Sequence, residues 1–354
     1  GEPDFAAPDK VLAAMKASLD AKETSYTGNS GMMELREAIS HHFEQRYGVH
    51  YDPKDEILVT VGVSEGLAMA LLAITEPGDE VIIPDPAYVA YPASVELAGG
   101  TPVFVPTYPE HDFKLTVEAL EKVITPKTKA IVIGYPNNPT GTVMSAEELM
   151  PIAKFAEEHD LIVLSDEIYC ELMYGDAKFT SFAKLPGMRE RTVIFNGFSK
   201  AYAMTGMRLG YVCAPREGLA PILKLHQYAI MCANTTAQVG GITALKECDD
   251  DVEAMRQEYD RRRKVIYKGL CDMGLPVFEP KGAFYIFPDI RCTGMTSAEF
   301  CEKLVQEEKV AVVPGTAFGD QGEGFVRISY AASMDTIQEA LKRMARFVDK
   351  YKSC

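Results

Sequence analysis

The chain has 354 residues, of which 47% are apolar and 25% charged, with a formal net charge of −15. That length allows one large core or two domains, and the acidic balance argues against a nucleic-acid partner, which requires a basic face. No apolar run is long enough to span a membrane, and no basic segment followed by an apolar stretch marks a signal peptide at the start.

In chain order, short apolar runs the length of buried strands occupy 57–61, 80–83, 130–133, 161–164, 192–195 and 209–213. Most are continuous rather than alternating, the pattern of a sheet covered on both faces. Helix-like stretches lie between several of them, at 64–75, 116–124 and 147–159. Strand alternating with helix predicts an α/β fold with a mainly parallel sheet flanked by helices. Pro151 leaves two readings of the third stretch. Either the helix begins there, or Ser145 and Glu148 form a capping box and the helix runs through the proline. The remainder differs: a charged stretch at 249–268 reads as a long exposed helix, followed by strand candidates at 283–287, 311–313 and 325–329 and a closing helix near 334–348. This predicts a smaller α+β domain. We assign 21–262 to the large domain and 1–20 with 263–354 to the small one.

The 8 cysteines include no C-x-x-C pair and read as reduced thiols, as expected of a cytoplasmic protein. The histidines lack metal-ligand spacing, so no metal site is expected. Asn234-Thr235-Thr236 matches a glycosylation acceptor, a pattern short enough to arise by chance.

The segments after the strands carry the chemistry, because open α/β sheets bind ligands beyond the carboxyl ends of their strands. Those segments are Gly62-Val63-Ser64-Glu65, Asp85-Pro86-Ala87-Tyr88, Tyr135-Pro136-Asn137-Asn138-Pro139-Thr140-Gly141, Ser165-Asp166-Glu167-Ile168-Tyr169 and Asn196-Gly197-Phe198-Ser199-Lys200. Each taken alone has an ordinary explanation: an aspartate after a strand caps a helix, and a lysine sits in solvent. Together and in order they place glycine, an acid and a lysine on one rim.

Ser199-Lys200, followed eight positions on by the arginine of Thr205-Gly206-Met207-Arg208, resembles the Schiff-base segment of the class I aminotransferases, which are fold type I pyridoxal 5'-phosphate (PLP) enzymes. Asn138-Pro139-Thr140-Gly141, Ser165-Asp166-Glu167-Ile168-Tyr169, Gly1-Glu2-Pro3-Asp4-Phe5 and Gly282-Ala283-Phe284-Tyr285 match further motifs of that family, in its order. The resemblance implies PLP as cofactor and a role for each residue. Lys200 would carry the cofactor as an aldimine and move the proton between the substrate's α-carbon and C4′. Asp166 would pair with the pyridine nitrogen, Tyr169 and Asn138 would donate to the phenolate oxygen, and Tyr88 would stack on the ring. The backbone at Val63 and Ser64, opening a helix, would hold the phosphate with Ser199 and Arg208. Arg327 would take the substrate's α-carboxylate, which a planar guanidinium suits, with Gly1 and Asn138 also at the substrate. Tyr26, in Tyr26-Thr27-Gly28, would reach the neighbouring subunit's phosphate, implying a homodimer.

The implied activity is ping-pong transfer of an amino group from an L-amino acid, aspartate or aromatic, to a 2-oxo acid such as 2-oxoglutarate. Two departures bear on substrate and phosphate. Ser64 stands where some aspartate-preferring relatives carry a lysine, and Gly197 where some carry a phosphate-binding serine. A carbon–sulfur β-lyase on the same fold is the alternative reaction. From another class, Gly62-Val63-Ser64-Glu65-Gly66 fits the nucleophile elbow of a serine hydrolase, but no histidine follows His226 to serve as its base. Ser181-Phe182-Ala183-Lys184 fits S-x-x-K without its companion motifs and reads as a loop.

Overall fold

Seven strands of the computed structural model, which describes residues 1–352, form a single sheet. They are β1 (Ile57–Thr60), β2 (Glu80–Asp85), β3 (Thr101–Pro106), β4 (Thr128–Ile133), β5 (Ile162–Asp166), β6 (Thr192–Gly197) and β7 (Gly210–Cys213), in the spatial order β1-β7-β6-β5-β4-β2-β3. Only β7 runs against the others. The mainly parallel α/β sheet expected from the apolar runs is therefore present. β3 was missed in the sequence because Thr101-Pro102-Val103-Phe104-Val105-Pro106 is an edge strand, half-exposed and carrying two prolines that only an edge tolerates.

Helices cover both faces. α1 (Asp9–Asp20), α2 (Met33–Tyr47) and α8 (Thr235–Glu247) enclose one face, where Leu35, Ile39 and Phe43 pack on Ile57, Val59 and Tyr211. On the opposite face α3 (Gly62–Ile74), α4 (Ala90–Leu97) and α7 (Arg216–Ala229) bury Leu67, Leu71, Tyr91 and Ile222 against Leu58, Phe195 and Val212. Neighbours along β1 thus point to opposite cores, so each residue of the strand is apolar or buried. The stretch at 116–124 yields only one helical turn, α5 (Val117–Leu120). At α6 (Ala146–Glu158) the capping box is the arrangement found. Ser145 Oγ accepts from the Glu148 N–H and Glu148 Oε2 accepts from the Ser145 N–H, and Pro151 lies inside the helix. Asn234 caps α8 by accepting from the Ala237 N–H at 2.8 Å, a structural use for the glycosylation-like triplet.

The stretch at 249–268 is longer and less exposed than expected. α9 (Asp249–Asp272) buries Val252, Met255, Tyr259, Ile266 and Leu270 along one stripe, and even Arg262 and Arg263 are buried, paired with Asp4, Glu258, Asp260 and Glu279. Its charges hid that stripe in the sequence. The stripe packs with α10 (Ser297–Glu308) and α11 (Met334–Tyr351) on a small antiparallel sheet ordered β8-β10-β9. These strands are β8 (Tyr285–Ile286), β9 (Val313–Pro314) and β10 (Val326–Ser329), shorter than the runs that predicted them.

A strap joins this layer to the large sheet. The Ala87 N–H donates to Phe318 O at 2.9 Å, and the carboxylate of Asp85, at the end of β2, accepts from the Gln321 N–H at 3.3 Å. Gly319 between them has φ +132, and a side chain there would lie 1.9 Å from Asp85 Oδ1. Burial raises the Asp85 carboxyl to about 6.

Candidate active site

Where β1, β4, β5 and β6 end and β7 begins, a cavity of about 560 Å³ opens between the large sheet and the small one. Its floor is Asp166, the last residue of β5. Tyr91, from α4, donates its hydroxyl to Asp166 Oδ2 at 2.7 Å, and the Ile168 N–H donates to Oδ1 at 3.2 Å. Burial raises the Asp166 carboxyl, against the pull of Tyr91, Ile168 and Lys200.

Lys200 projects from the loop after β6, and its Nζ donates to Gly1 O at 2.7 Å. Burial lowers its ammonium from 10.5 to about 8, with Asp166 and Glu2 acting in the opposite direction. A large fraction of this amine is therefore neutral near pH 8, as an amine needs to be to attack a carbonyl carbon or to accept a proton.

At one end of the cavity Arg208 faces the first turn of α3. No side chain caps that turn, so the N–H groups at Val63 and Ser64 remain open to an anion. Gly62, with φ +73, permits the approach: a Cβ there would sit 2.6 Å from Arg208 Nη2. Ser199 lines the same end. Gly197 has a steric reason, since it pairs with Gly210 across β6 and β7 and a Cβ would meet Gly210 Cα at 2.9 Å.

At the other end Arg327, on β10, has its guanidinium between the rings of Tyr285 and Phe318, at 4.6 and 4.7 Å from their centroids. Its Nη1 donates to Asn138 Oδ1 at 2.9 Å, while its Nε is buried with no partner. An unpaired buried guanidinium N–H is costly and awaits an acceptor. Tyr169 and Tyr285 share a hydrogen bond of 2.9 Å between their hydroxyls, and burial raises Tyr169 far above the usual phenol value. Tyr88 stands edge-on to Tyr91, with ring centroids 5.6 Å apart.

The cavity thus gathers Gly1, Val63, Ser64, Tyr88, Asn138, Asp166, Tyr169, Ser199, Lys200, Arg208 and Arg327. Tyr26 is not among the lining residues. It is 80% exposed, on the segment before α2. Sequence reasoning passed over Tyr91 and Tyr285. Tyr91 follows Tyr88 by three residues and lines the same cavity, and Tyr285 ends a motif that was recognised without a role for its side chain. No histidine lines the cavity. His226 bonds Glu65 and Asn29 instead of Ser64, so the serine-hydrolase arrangement is not formed.

Residues 1–344 match the family model described as aminotransferase class I and II. The chain is 47% identical to an aromatic-amino-acid aminotransferase of Thermococcus litoralis and 49% identical to an aspartate aminotransferase of Pyrococcus abyssi, in each case over 99% of this chain and 91% of the relative. The crystal structure of an aromatic aminotransferase from Pyrococcus horikoshii OT3 superposes with a TM-score of 0.97 at 49% identity, covering 99% of this chain and 94% of that one.

Proposed function

The chain belongs to the class I and II aminotransferases, and from that premise we propose that it transfers the amino group of an aspartate-type or aromatic L-amino acid to a 2-oxo acid such as 2-oxoglutarate, with PLP held on Lys200. The observation that carries this reading is one cavity that gathers the Lys200 amine, the buried Asp166 carboxylate and Arg327, whose Nε is buried without a partner.

The residues fit the cofactor. Arg208 and the uncapped first turn of α3 offer a cradle for a phosphate, and Ser199 adds a hydroxyl. Asp166 offers a carboxylate to a protonated ring nitrogen, and a cation held there would counter the effect of burial. Tyr169, Asn138 and Tyr88 line the same cavity, where Tyr169 and Asn138 would donate to the ring's oxygen and Tyr88 would stack on the ring. Bound there, PLP supplies an electron sink that makes the α-proton of an amino acid removable.

The chain's own groups do the rest. Arg327 takes the α-carboxylate through Nε and Nη, oriented by Tyr285, Phe318 and Asn138. The Lys200 amine would accept the proton from the substrate's α-carbon at Nζ and hand it back within the same site. Gly1 stands beside Lys200 at the substrate.

Both donor classes appear in the names of the relatives, and Lys200, Arg208 and Arg327 line the cavity. We take 21–262 as the cofactor-binding domain and the rest as the small domain. We take the working form as a homodimer in which Tyr26 reaches the partner's phosphate, a reading its exposure supports.

The test is to load the protein with PLP, add tyrosine or aspartate, remove the unreacted donor, and then add 2-oxoglutarate. Recovery of one glutamate per bound cofactor, with the matching 2-oxo acid released in the first step, supports the reading. Release of ammonia instead of glutamate formation would overturn it.

A further inference from the structure

His226 and Glu65 form a pair that the chemistry above does not use. His226 lies in α7 and is fully buried, and Glu65 lies in the first turns of α3 with only 8% of its side chain exposed. Imidazole Nδ1 meets Glu65 Oε1 at 2.9 Å, and Nε2 meets Asn29 O at 3.0 Å. A carbonyl only accepts, so Nε2 carries a hydrogen, and one more proton is held between Nδ1 and Oε1. Whichever side holds that proton, the pair has no net charge: carboxylate with imidazolium, or carboxylic acid with imidazole. The second oxygen, Oε2, accepts from the Val61 N–H at 3.0 Å, so the carboxylate is tied to the backbone just before the helix.

The location gives the pair its meaning. Glu65 directly follows Val63 and Ser64, whose N–H groups form the open end of α3. A lone carboxylate there would offset the positive end of the helix and repel any second anion. We infer that His226 and Glu65 are positioning residues for the cofactor's phosphate: the imidazole cancels the charge of Glu65 and holds it against Val61, leaving the first turn of α3 free for a dianion. This rests on the proposed use of that turn as the phosphate cradle. The same imidazole also anchors Asn29, whose Nδ2 donates to Met231 O at 2.9 Å. One ring therefore fixes the cradle and the segment bearing Tyr26 in a single network.

The experiment compares the full-length wild type with His226→Gln, Glu65→Gln and the double variant. Each is freed of cofactor and titrated with PLP and with pyridoxal, which lacks the phosphate, while absorbance is recorded and circular dichroism verifies the fold. His226→Gln is expected to weaken PLP about tenfold, the effect of one uncompensated charge near a helix end, and to leave pyridoxal affinity unchanged. The double variant is expected to regain most of the loss, because Gln at 65 carries no charge to cancel. Glu65→Gln alone is expected to bind PLP at least as tightly as the wild type, and it tests the idea even if His226→Gln fails to fold. Equal losses for PLP and pyridoxal, a double variant no better than His226→Gln, or weaker PLP binding by Glu65→Gln would overturn the inference. A wild type that binds PLP no better than pyridoxal would instead overturn the phosphate cradle itself, and this inference with it.

Discussion

The hydroxyl of Tyr91 donates to the carboxylate of Asp166 across 2.7 Å, and both residues are buried. Among the described residues, this hydroxyl and the Ile168 N–H are the hydrogen-bond donors to the Asp166 carboxylate. Tyr91→Phe keeps the ring and removes the hydrogen bond, so the fold should persist while Asp166 loses both its orientation and part of the stabilisation of its charge. A hydrogen bond to a charged group contributes about 2 kcal/mol, so kcat should fall roughly thirtyfold. Steady-state kinetics beside a thermal melt check this; an unchanged kcat would remove Tyr91 from the account.

Lys200 should reveal itself by its titration. Its folded value of about 8 lies below the 10.5 of an exposed lysine, so the ammonium predominates below pH 8 and the reactive amine above it. Acylation at Lys200, followed by peptide mass, should rise through pH 8, whereas exposed lysines respond only towards 10.5. A rise at Lys200 that coincides with the exposed lysines would contradict the burial argument. Lys200→Ala should lose nearly all turnover.

Arg327→Lys preserves charge and gives up the planar fork. The α-carboxylate is common to every donor and acceptor, so KM should rise for all of them, on the order of tenfold to a hundredfold, the loss of a bidentate charge-assisted pair. Measuring tyrosine, aspartate and 2-oxoglutarate side by side separates this from a role in donor choice, which would move one KM and spare the others.

Asp85 should make stability depend on pH. Burial raises its carboxyl from 3.8 to about 6, so the folded protein holds this proton more tightly than the unfolded chain does. Its stabilising contribution is complete below about pH 4 and is lost as the pH rises through 6. Asp85→Asn keeps an acceptor for the Gln321 N–H and cannot ionise. Its Tm should therefore exceed that of the wild type at pH 8, with the gap closing towards pH 5. A constant gap across that range would mean that the charge of Asp85 is immaterial to the strap.

Most of the large sheet was legible in the sequence because its strands are buried on both sides and so read as unbroken apolar runs. Where that condition fails the reading failed too. Edge strand β3 exposes Phe104 and ends in proline, and α9 carries so many charges that its buried stripe of Met255, Tyr259 and Ile266 was masked. The candidate site was legible for a different reason: Asp166 closes β5, Lys200 and Asn138 follow the ends of β6 and β4, and Arg208 just precedes β7, all at the rim where open α/β sheets bind ligands. Tyr91 lies farther from its strand, on α4, and its partnership with Asp166 is a tertiary fact that no local pattern records. The pairing of His226 with Glu65 spans 161 positions and is equally silent in one dimension.

Strand β7 is the one that runs backwards, and it places Arg208 beside the exit of β6 that delivers Lys200. On the proposed reading, the covalent and ionic moorings of the cofactor hang from adjacent strands that cannot shift against each other. The clamp for the substrate, Arg327, hangs from the other sheet. A hinge movement between the two layers would therefore loosen or tighten the grip on a passing amino acid while the cofactor stays berthed, so that many substrates can be exchanged for one prosthetic group retained.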